Sequence, residues 1–366
     1  MRIDLYLHIM SAFTCLPLLV FVASFQISCG NQHKESASAI TNNRIEEGVQ
    51  IKSEPEAQLA QYIRNIYEDK NGHLWFGTNG YGVIQYNGDS LSYYSNHNGF
   101  DGQQITGITE DINKNIWFAT DQGVVQYRWD SMATGEKKFI NYSSPLLFYG
   151  QRFWSIMADS KGSIWAGAES GVYKFDGVYW LPVSIPYPDE AQGSFITTHT
   201  AWSIVEDSKT NIWISTNGFG AYKYDGKVFS LYSEEIGLAN NNVDVIMEDK
   251  AGALWFGTRF GGVSRLKGND FEHFNVENNR IGNNEVCALY EDPMGHIWFS
   301  SERYGVYKFD GQTLTNYNKD HGLEIGAVQT ILEDSNGRLW VGGGGGLYVR
   351  QNDSFVHVGQ ESILSY

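Results

Sequence analysis

From residue 62 to residue 358, short apolar runs alternate with polar, glycine-bearing breaks in an order that recurs seven times. In the first copy, Ile63 to Tyr67 is a β-prone run, Glu68 to His73 a turn and Leu74 to Thr78 a second run. Asn79 to Gly82 is another turn, Val83 to Tyr86 a third run, Asn87-Gly88 a favoured hairpin dipeptide and Leu91 to Tyr94 a fourth run. Trp75, Trp117, Trp165, Trp213, Trp255, Trp298 and Trp340 mark the register, at intervals of 42, 48, 48, 42, 43 and 42 residues. A period near forty with four strands per copy is the size of one propeller blade. The pattern therefore predicts an all-β fold, a single seven-bladed β-propeller of four-stranded blades, spanning residues 60–360 with a C-terminal tail over 361–366.

Composition agrees: 366 residues with 40 Gly, 22 Tyr and 20 Phe but only 7 Pro suit many short strands joined by tight turns. The formal charge of -16 is spread over the repeats, which disfavours nucleic acid and anionic membrane surfaces as partners, since both attract positive charge, and suits neutral or cationic partners better. The first 29 residues differ from the rest. Arg2 precedes an apolar run from Leu5 to Phe25, then Gln26-Ile27-Ser28-Cys29-Gly30. This reads as an export signal, and the cysteine behind it resembles the lipobox of bacterial lipoproteins, with Cys29 as the acylated mature N-terminus. Residues 30–59 are polar and without pattern, the mark of a flexible tether, although Gly48 to Lys52 could add a strand to an edge blade. Localisation follows as the cell envelope, lipid-anchored at the outer membrane, on its periplasmic side or the cell surface, with the protein a monomer. Cys287 is the one other mature cysteine, so no intrachain disulfide framework is available.

An acidic turn precedes each tryptophan. Asp69-Lys70-Asn71-Gly72 spaces oxygens like the start of a calcium loop, but such a loop needs six or more oxygens and a late bidentate carboxylate, and here Leu and Trp follow at once. Asp69, Asp111, Asp159, Asp207, Asp249, Asp292 and Asp334 fit hairpin caps that bond backbone amides, with no metal. Gly72, Gly162, Gly252, Gly295 and Gly337 fit the positive-φ position of the turn. In the two copies with Lys114 and Thr210 instead, Asn115 and Asn211 one place later are expected to take it. The tryptophans, fixed in the second strand, are expected to pack between neighbouring blades.

Breaks in the repeat are the candidates for function. From tryptophan to the glycine opening the third strand there are seven residues in copies one, four, five and six, against six elsewhere. The longer loops carry Tyr81, Phe219, Phe260 and Tyr304, with Arg259 and Arg303 beside them. On the same face, the long connection from Ile185 to Thr200 brings Tyr187, Phe195 and His199. Asp130 to Glu136 and Pro145 to Gly150 account for the other lengthened interval. Two residues before the apolar column of the innermost strand stands a column of changing chemistry: Arg64, Thr106, Trp154, Trp202, Asp244, Cys287 and Gln329. Aromatic rings with Arg, Asp and Gln at a channel mouth suit a polyhydroxylated, part-apolar ligand such as a glycan fragment. The alternative for these residues is packing of the blade tops, and for the protein as a whole, docking within an envelope complex.

The unit V-x-x-I-x-E-D-x-x-G-x-L-W-F-G-T-x-x-G-V-x-x-Y, clearest in Ile63 to Tyr86 and Val243 to Val263, resembles the two-component regulator propeller repeat, over about Tyr62 to Val358. The resemblance implies a sensor-type propeller of the kind found in the periplasmic parts of hybrid histidine kinases, some of which detect glycan fragments. Those sensors carry two propellers; with one propeller and neither kinase nor DNA-binding segment, signalling activity is not carried over, and a non-catalytic, stand-alone ligand-binding propeller without cofactor is expected. Seven-bladed streptogramin lyases have a similar G-x-x-W-F motif and use a His, a Glu and a divalent metal. On that alternative His199 or His321 would act with a carboxylate such as Glu302.

Overall fold

The computed structural model describes residues 58–129, 138–142, 151–188 and 199–366. Cys29, the signal segment, Gly48 to Lys52, Asp130 to Glu136, Pro145 to Gly150 and Phe195 lie outside them. Seven four-stranded antiparallel sheets follow one another in a ring, each built from the four consecutive strands of its own repeat. The expected seven-bladed propeller is what forms. In blade one the strands are Ile63–Glu68, Leu74–Thr78, Val83–Tyr86 and Leu91–Tyr94, from the axis outwards.

Every marker tryptophan sits between two blades. Trp75 packs with Val83 of its own blade and with Ile105, Phe118 and Tyr127 of the next, and all seven indoles are at most 3% exposed. Burying so many rings in one direction leaves each indole N–H without water, and the acidic turn supplies its acceptor. Trp255 Nε1 donates to Asp249 Oδ2 at 2.8 Å, and the same bond recurs in the other six blades at 2.8–3.0 Å. The second carboxylate oxygen accepts the backbone N–H groups two and four residues on, at 3.1 and 2.8 Å in the turn of Asp249. One aspartate thus closes the hairpin and satisfies the core, which is why the pair keeps its spacing of six residues. Among the described residues no group of His, Cys, Asp or Glu is arranged to hold a metal ion.

The turn without glycine is resolved differently from expectation. Lys114 (φ 67°) and Thr210 (φ 63°) take the left-handed conformation themselves. Asn115 and Asn211 instead donate their side-chain amides to Asp111 Oδ2 and Asp207 Oδ2, at 2.9 and 2.7 Å. The extra bond to the carboxylate offsets the strain of a non-glycine residue in that region, about 1–2 kcal/mol.

A second carboxylate series links the blades and was not apparent from the repeat pattern. The glutamate before each aspartate accepts the first amide of the preceding blade's turn: Glu110 from Lys70 at 2.8 Å, Glu206 from Ser160 at 2.6 Å and Glu291 from Lys250 at 2.7 Å. Glu248 accepts from Ser208, and Glu68 from Ser335 at 2.7 Å, the latter across the junction of last blade and first. Two junctions lack the bond for plain reasons. Ala158 stands where the glutamate would face Ile112, and Pro293 offers Glu333 no N–H. Burial, with Asp292 and Asp334 nearby, pushes the Glu333 carboxyl up from its ordinary value.

Among the described residues no strand is exchanged between first and last blades, and the two meet by packing of Ile63 and Ile66 against Trp340 and Leu347, by the Glu68–Ser335 bond and by a short bridge between Gln58 and Gly359. The last residues join this seam as well: Ile363 is fully buried in it, and Tyr366 sets its ring edge-on to Trp340 at 5.6 Å. Among the described residues no helix is long and apolar enough to cross a membrane.

Candidate functional site

The varied column of the innermost strand owes its position to a backbone irregularity. In blade one Ile63 pairs with Thr78 and Asn65 with Gly77, leaving Arg64 opposite nothing. The same one-residue bulge isolates Thr106, Trp154, Asp244 and Gln329 in blades two, three, five and seven. In blades four and six the paired strand begins only at Ile204 and Leu289, two residues after Trp202 and Cys287. A bulged residue escapes the strict in-and-out alternation of the strand, so its side chain is re-aimed while its neighbours keep packing the core. Ile63 and Ile66 are buried and Arg64 is half-buried, and the same holds for Val243, Ile246 and Asp244.

Fifteen residues after the bulge, the turn between second and third strands returns to the same spot. Arg64 Nε donates to Asn79 Oδ1 at 3.0 Å, and Arg259 clasps Asp244 with Nε to Oδ2 at 3.3 Å and Nη2 to Oδ1 at 3.0 Å. The longer turns are held open by the threonine ending the second strand. Thr78 Oγ1 donates to Gly82 O and accepts the N–H of Tyr81. Glycine is required where this turn re-enters the sheet: Gly82 has φ 76°, and a Cβ there would lie 2.1 Å from Tyr94 O.

From blade three to blade six these elements form one continuous array. The Arg152 guanidinium lies 5.2 Å from the Trp154 ring centre, Trp154 lies 4.5 Å from Trp202, and Arg259 stands 4.9 Å over Trp202 from the other side. Arg259 then pairs with Asp244, whose Oδ2 is 3.9 Å from the Cys287 thiol. Burial pushes the Asp244 carboxyl up to about 6 although Arg259 opposes the shift, while Asp244 raises Arg259 against the effect of its own burial. Burial raises the Cys287 thiol well above its ordinary value, with Asp244 and Glu285 adding to it, so the sulfur stays protonated. Glu302 is raised by burial and then by Glu285. The mouth is divided: two indole rings and the Arg152 guanidinium on blades three and four, the Arg259–Asp244 pair with further carboxyl groups and a thiol on blades five and six.

Because the Asp244 pKa is raised above its unfolded value near 4, the folded protein binds the extra proton. Stability linked to this group is fully present below about pH 4 and is lost as pH rises through about 6. Protonation also relaxes the grip on Arg259. Tryptophan fluorescence of the folded protein should therefore show a transition near pH 6, reporting Arg259 over Trp202, and Asp244→Asn should abolish it. A transition of equal size in that variant would contradict the assignment.

Of the sequence candidates, Trp154, Trp202, Asp244 and Arg259 are thus brought together. Arg64 keeps the bulge position but is engaged with Asn79 and lies 5.5 Å from the Tyr62 ring. Tyr81, Phe260 and Tyr304 are exposed at turn tips, at 57%, 62% and 47%. Arg303 is also exposed, with a left-handed backbone of φ 64°. Phe219 is half-buried against Tyr187, at 5.8 Å, as part of the blade-four core. His199 packs edge-on to Tyr187 at 4.5 Å and His321 to Tyr317 at 5.3 Å, and among the described residues neither contacts Glu302. Arg152 was missed from sequence, since it precedes the innermost strand and no period marks it. Two open grooves lie on the opposite, turn-capped face, one lined by Lys250, Arg265, Met294 and Phe309, the other by Ser208, Lys209 and Glu248.

Fold and mouth together define a seven-bladed β-propeller with one tailored end. Four stretches of the chain, residues 58–80, 196–218, 237–260 and 322–345, match the family model of the two component regulator propeller. No curated protein sequence matches the chain. Among solved structures it is similar to the extracellular domain of the putative hybrid two component system BT4673 from B. thetaiotaomicron, with 19% identity and a TM-score of 0.46, over 83% of this chain and 42% of that one. It therefore spans about two fifths of that chain's length. A catalytically inactive virginiamycin B lyase from Staphylococcus aureus with quinupristin is similar over 80% of this chain and 97% of its own, at 13% identity and a TM-score of 0.63. PorZ, described as an essential bacterial surface component of the type-IX secretion system of Porphyromonas gingivalis, is similar over 80% of this chain and 50% of its own, at 16% identity and a TM-score of 0.52. At such identities the shared property is the fold.

Proposed function

We propose that the protein is a non-catalytic, extracytoplasmic ligand-binding propeller, anchored through a lipid on Cys29, that holds a glycan fragment at the mouth carrying the second-to-third strand turns. The observation that carries this reading is the bulge column. In five of the seven blades a bulge turns one residue of the innermost strand out of the packing, Trp154 and Asp244 among them, and Trp202 holds the equivalent position ahead of the blade-four strand. Indole faces stack on the apolar faces of pyranose rings, and carboxyl and guanidinium groups hydrogen-bond to hydroxyls. A protonated Cys287 and histidines committed to aromatic packing favour binding over catalysis. The sensor and envelope settings of the relatives are compatible with an extracytoplasmic binding role, and docking to an envelope protein through the same mouth is the second reading, because PorZ is a surface component of a secretion system.

Isothermal titration of the full-length protein with neutral and acidic oligosaccharides tests the first reading. Binding to at least one oligosaccharide, weakened 100-fold or more by Trp202→Ala, is expected from loss of a stacking face and of the Arg259 support, roughly 3 kcal/mol. Heat signals absent throughout the panel, together with co-purification of an envelope protein that Trp202→Ala abolishes, would favour docking instead.

A further inference from the structure

Resting on that reading, we infer that the ligand is an acidic saccharide, whose carboxylate or sulfate group is received by Arg152 and the indole N–H groups of Trp154 and Trp202. The inference comes from an excess of donors on one side of the mouth. Trp154 Nε1, Trp202 Nε1 and Arg152 Nε are shielded from solvent, and none has a hydrogen-bond partner among the described residues. A shielded donor left without an acceptor costs about 1–3 kcal/mol, so three in one array ask for acceptors from outside the chain. The contrast with the scaffold is internal to the molecule: all seven marker tryptophans have an aspartate for their N–H, and the two at the mouth have none.

The two guanidinium groups flanking the indole pair are also unequal. Arg259 is neutralised by Asp244 through two hydrogen bonds. Arg152 forms no ion pair with any described residue. Glu169, whose backbone N–H donates to the Arg152 carbonyl oxygen at 3.2 Å, forms no ion pair with it. An anion reaching Arg152 would meet a fork of donors beside two indole N–H groups, the geometry that suits carboxylate and sulfate oxygens. Across the mouth, Glu285 and Glu302 offer acceptors to hydroxyl groups and repel an anion, so the acid end of the ligand is directed to blades three and four. A saccharide with both hydroxyls and an acid satisfies the two halves at once, and a neutral saccharide leaves the blade-three half unmatched.

The test uses pairs of probes that differ in the acid group: trigalacturonate against its methyl ester, and a monosulfated galactobiose against unsulfated galactobiose. Calorimetry on the full-length protein is expected to show at least tenfold tighter binding of one charged member than of its neutral counterpart. Arg152→Gln should remove that preference by weakening the charged member at least tenfold more than the neutral one, and Arg152→Lys should retain part of it. Should Arg152→Gln fail to fold, Trp154→Phe keeps an aromatic face, removes the N–H and is expected to weaken the charged member at least tenfold more than the neutral one. Equal affinity for charged and neutral members overturns the acidic preference and leaves the saccharide reading standing. Absence of binding to all four probes overturns both.

Discussion

Replacing Trp255 by alanine is expected to cost about 3–5 kcal/mol, the range for a large aromatic ring removed from a closed core. Trp255 is fully buried among Val263, Phe274, Ile297, Phe299 and Phe309, which come from two blades, so its removal opens a void that neither blade can fill by itself. The Arg265 guanidinium, 4.9 Å from the ring, loses its aromatic support, and Asp249 Oδ2 loses its indole donor. For a domain of this size the melting midpoint should fall by on the order of 5–10 °C. Two further variants divide the effect. Trp255→Phe retains most of the volume and should cost about 1–3 kcal/mol for the buried carboxylate left short of a donor. Asp249→Ala leaves the indole N–H and two turn amides unmatched, and its cost should not add to that of Trp255→Phe, because both variants break the same bond. Denaturant unfolding checks all three. Additive losses, or an unchanged midpoint in Trp255→Ala, would mean that aspartate and tryptophan are independent and that the turn, not the indole bond, explains their pairing.

Glu68→Ala is expected to be more damaging than its internal counterpart Glu206→Ala, although both remove the same contact. Each glutamate receives a backbone amide and a serine hydroxyl from the preceding blade's turn. Hydrogen bonds to a charged group contribute about 1.5–3 kcal/mol, and that much is expected for Glu68. The difference lies in what else joins the blades. Blades three and four are held by the chain running between them, whereas blades seven and one meet without a direct covalent link and, among the described residues, without a shared strand. Hydrogen exchange of the strand Ile63–Glu68 should therefore accelerate in Glu68→Ala by roughly 10–100-fold, the equivalent of that free energy. The corresponding strand of blade four in Glu206→Ala should change less. Equal exchange in the two variants would show that the seam is closed by its apolar packing alone.

Most of this scaffold was legible in the chain because its constraints are local and repeated. The period of the tryptophans fixed seven blades, and alternating apolar runs placed the second, third and fourth strands of blade one at their observed bounds. Turn chemistry was legible in part. Glycine marks the positive-φ position in five blades, but in the other two the demand fell on Lys114 and Thr210, since turn geometry is set by the hydrogen bonds of the aspartate and not by the residue best suited to it. The site was half legible. Variation at Trp154, Trp202 and Asp244 pointed to the mouth, yet the bulge that presents Trp154 and Asp244 leaves no sequence mark, because the extra residue can be of any type. Arg152 and the Glu–amide bonds between blades were missed for a related reason: each is a contact between repeats, and reading one repeat against another reveals what they share, not where they touch. Phe219 looked like Tyr81 by position and differs because Tyr187, supplied by a connection peculiar to this junction, covers it.

The separation of bulge from ladder has an evolutionary consequence. Intolerance to change is concentrated in seven aspartate–tryptophan pairs and the small residues beside them, while the bulged position contributes no ladder bond of its own. Its side chain can be exchanged at little cost to folding. A lineage carrying this architecture can alter what its mouth recognises one blade at a time, trying arginine, tryptophan, aspartate or cysteine at equivalent points of a frame that stays the same.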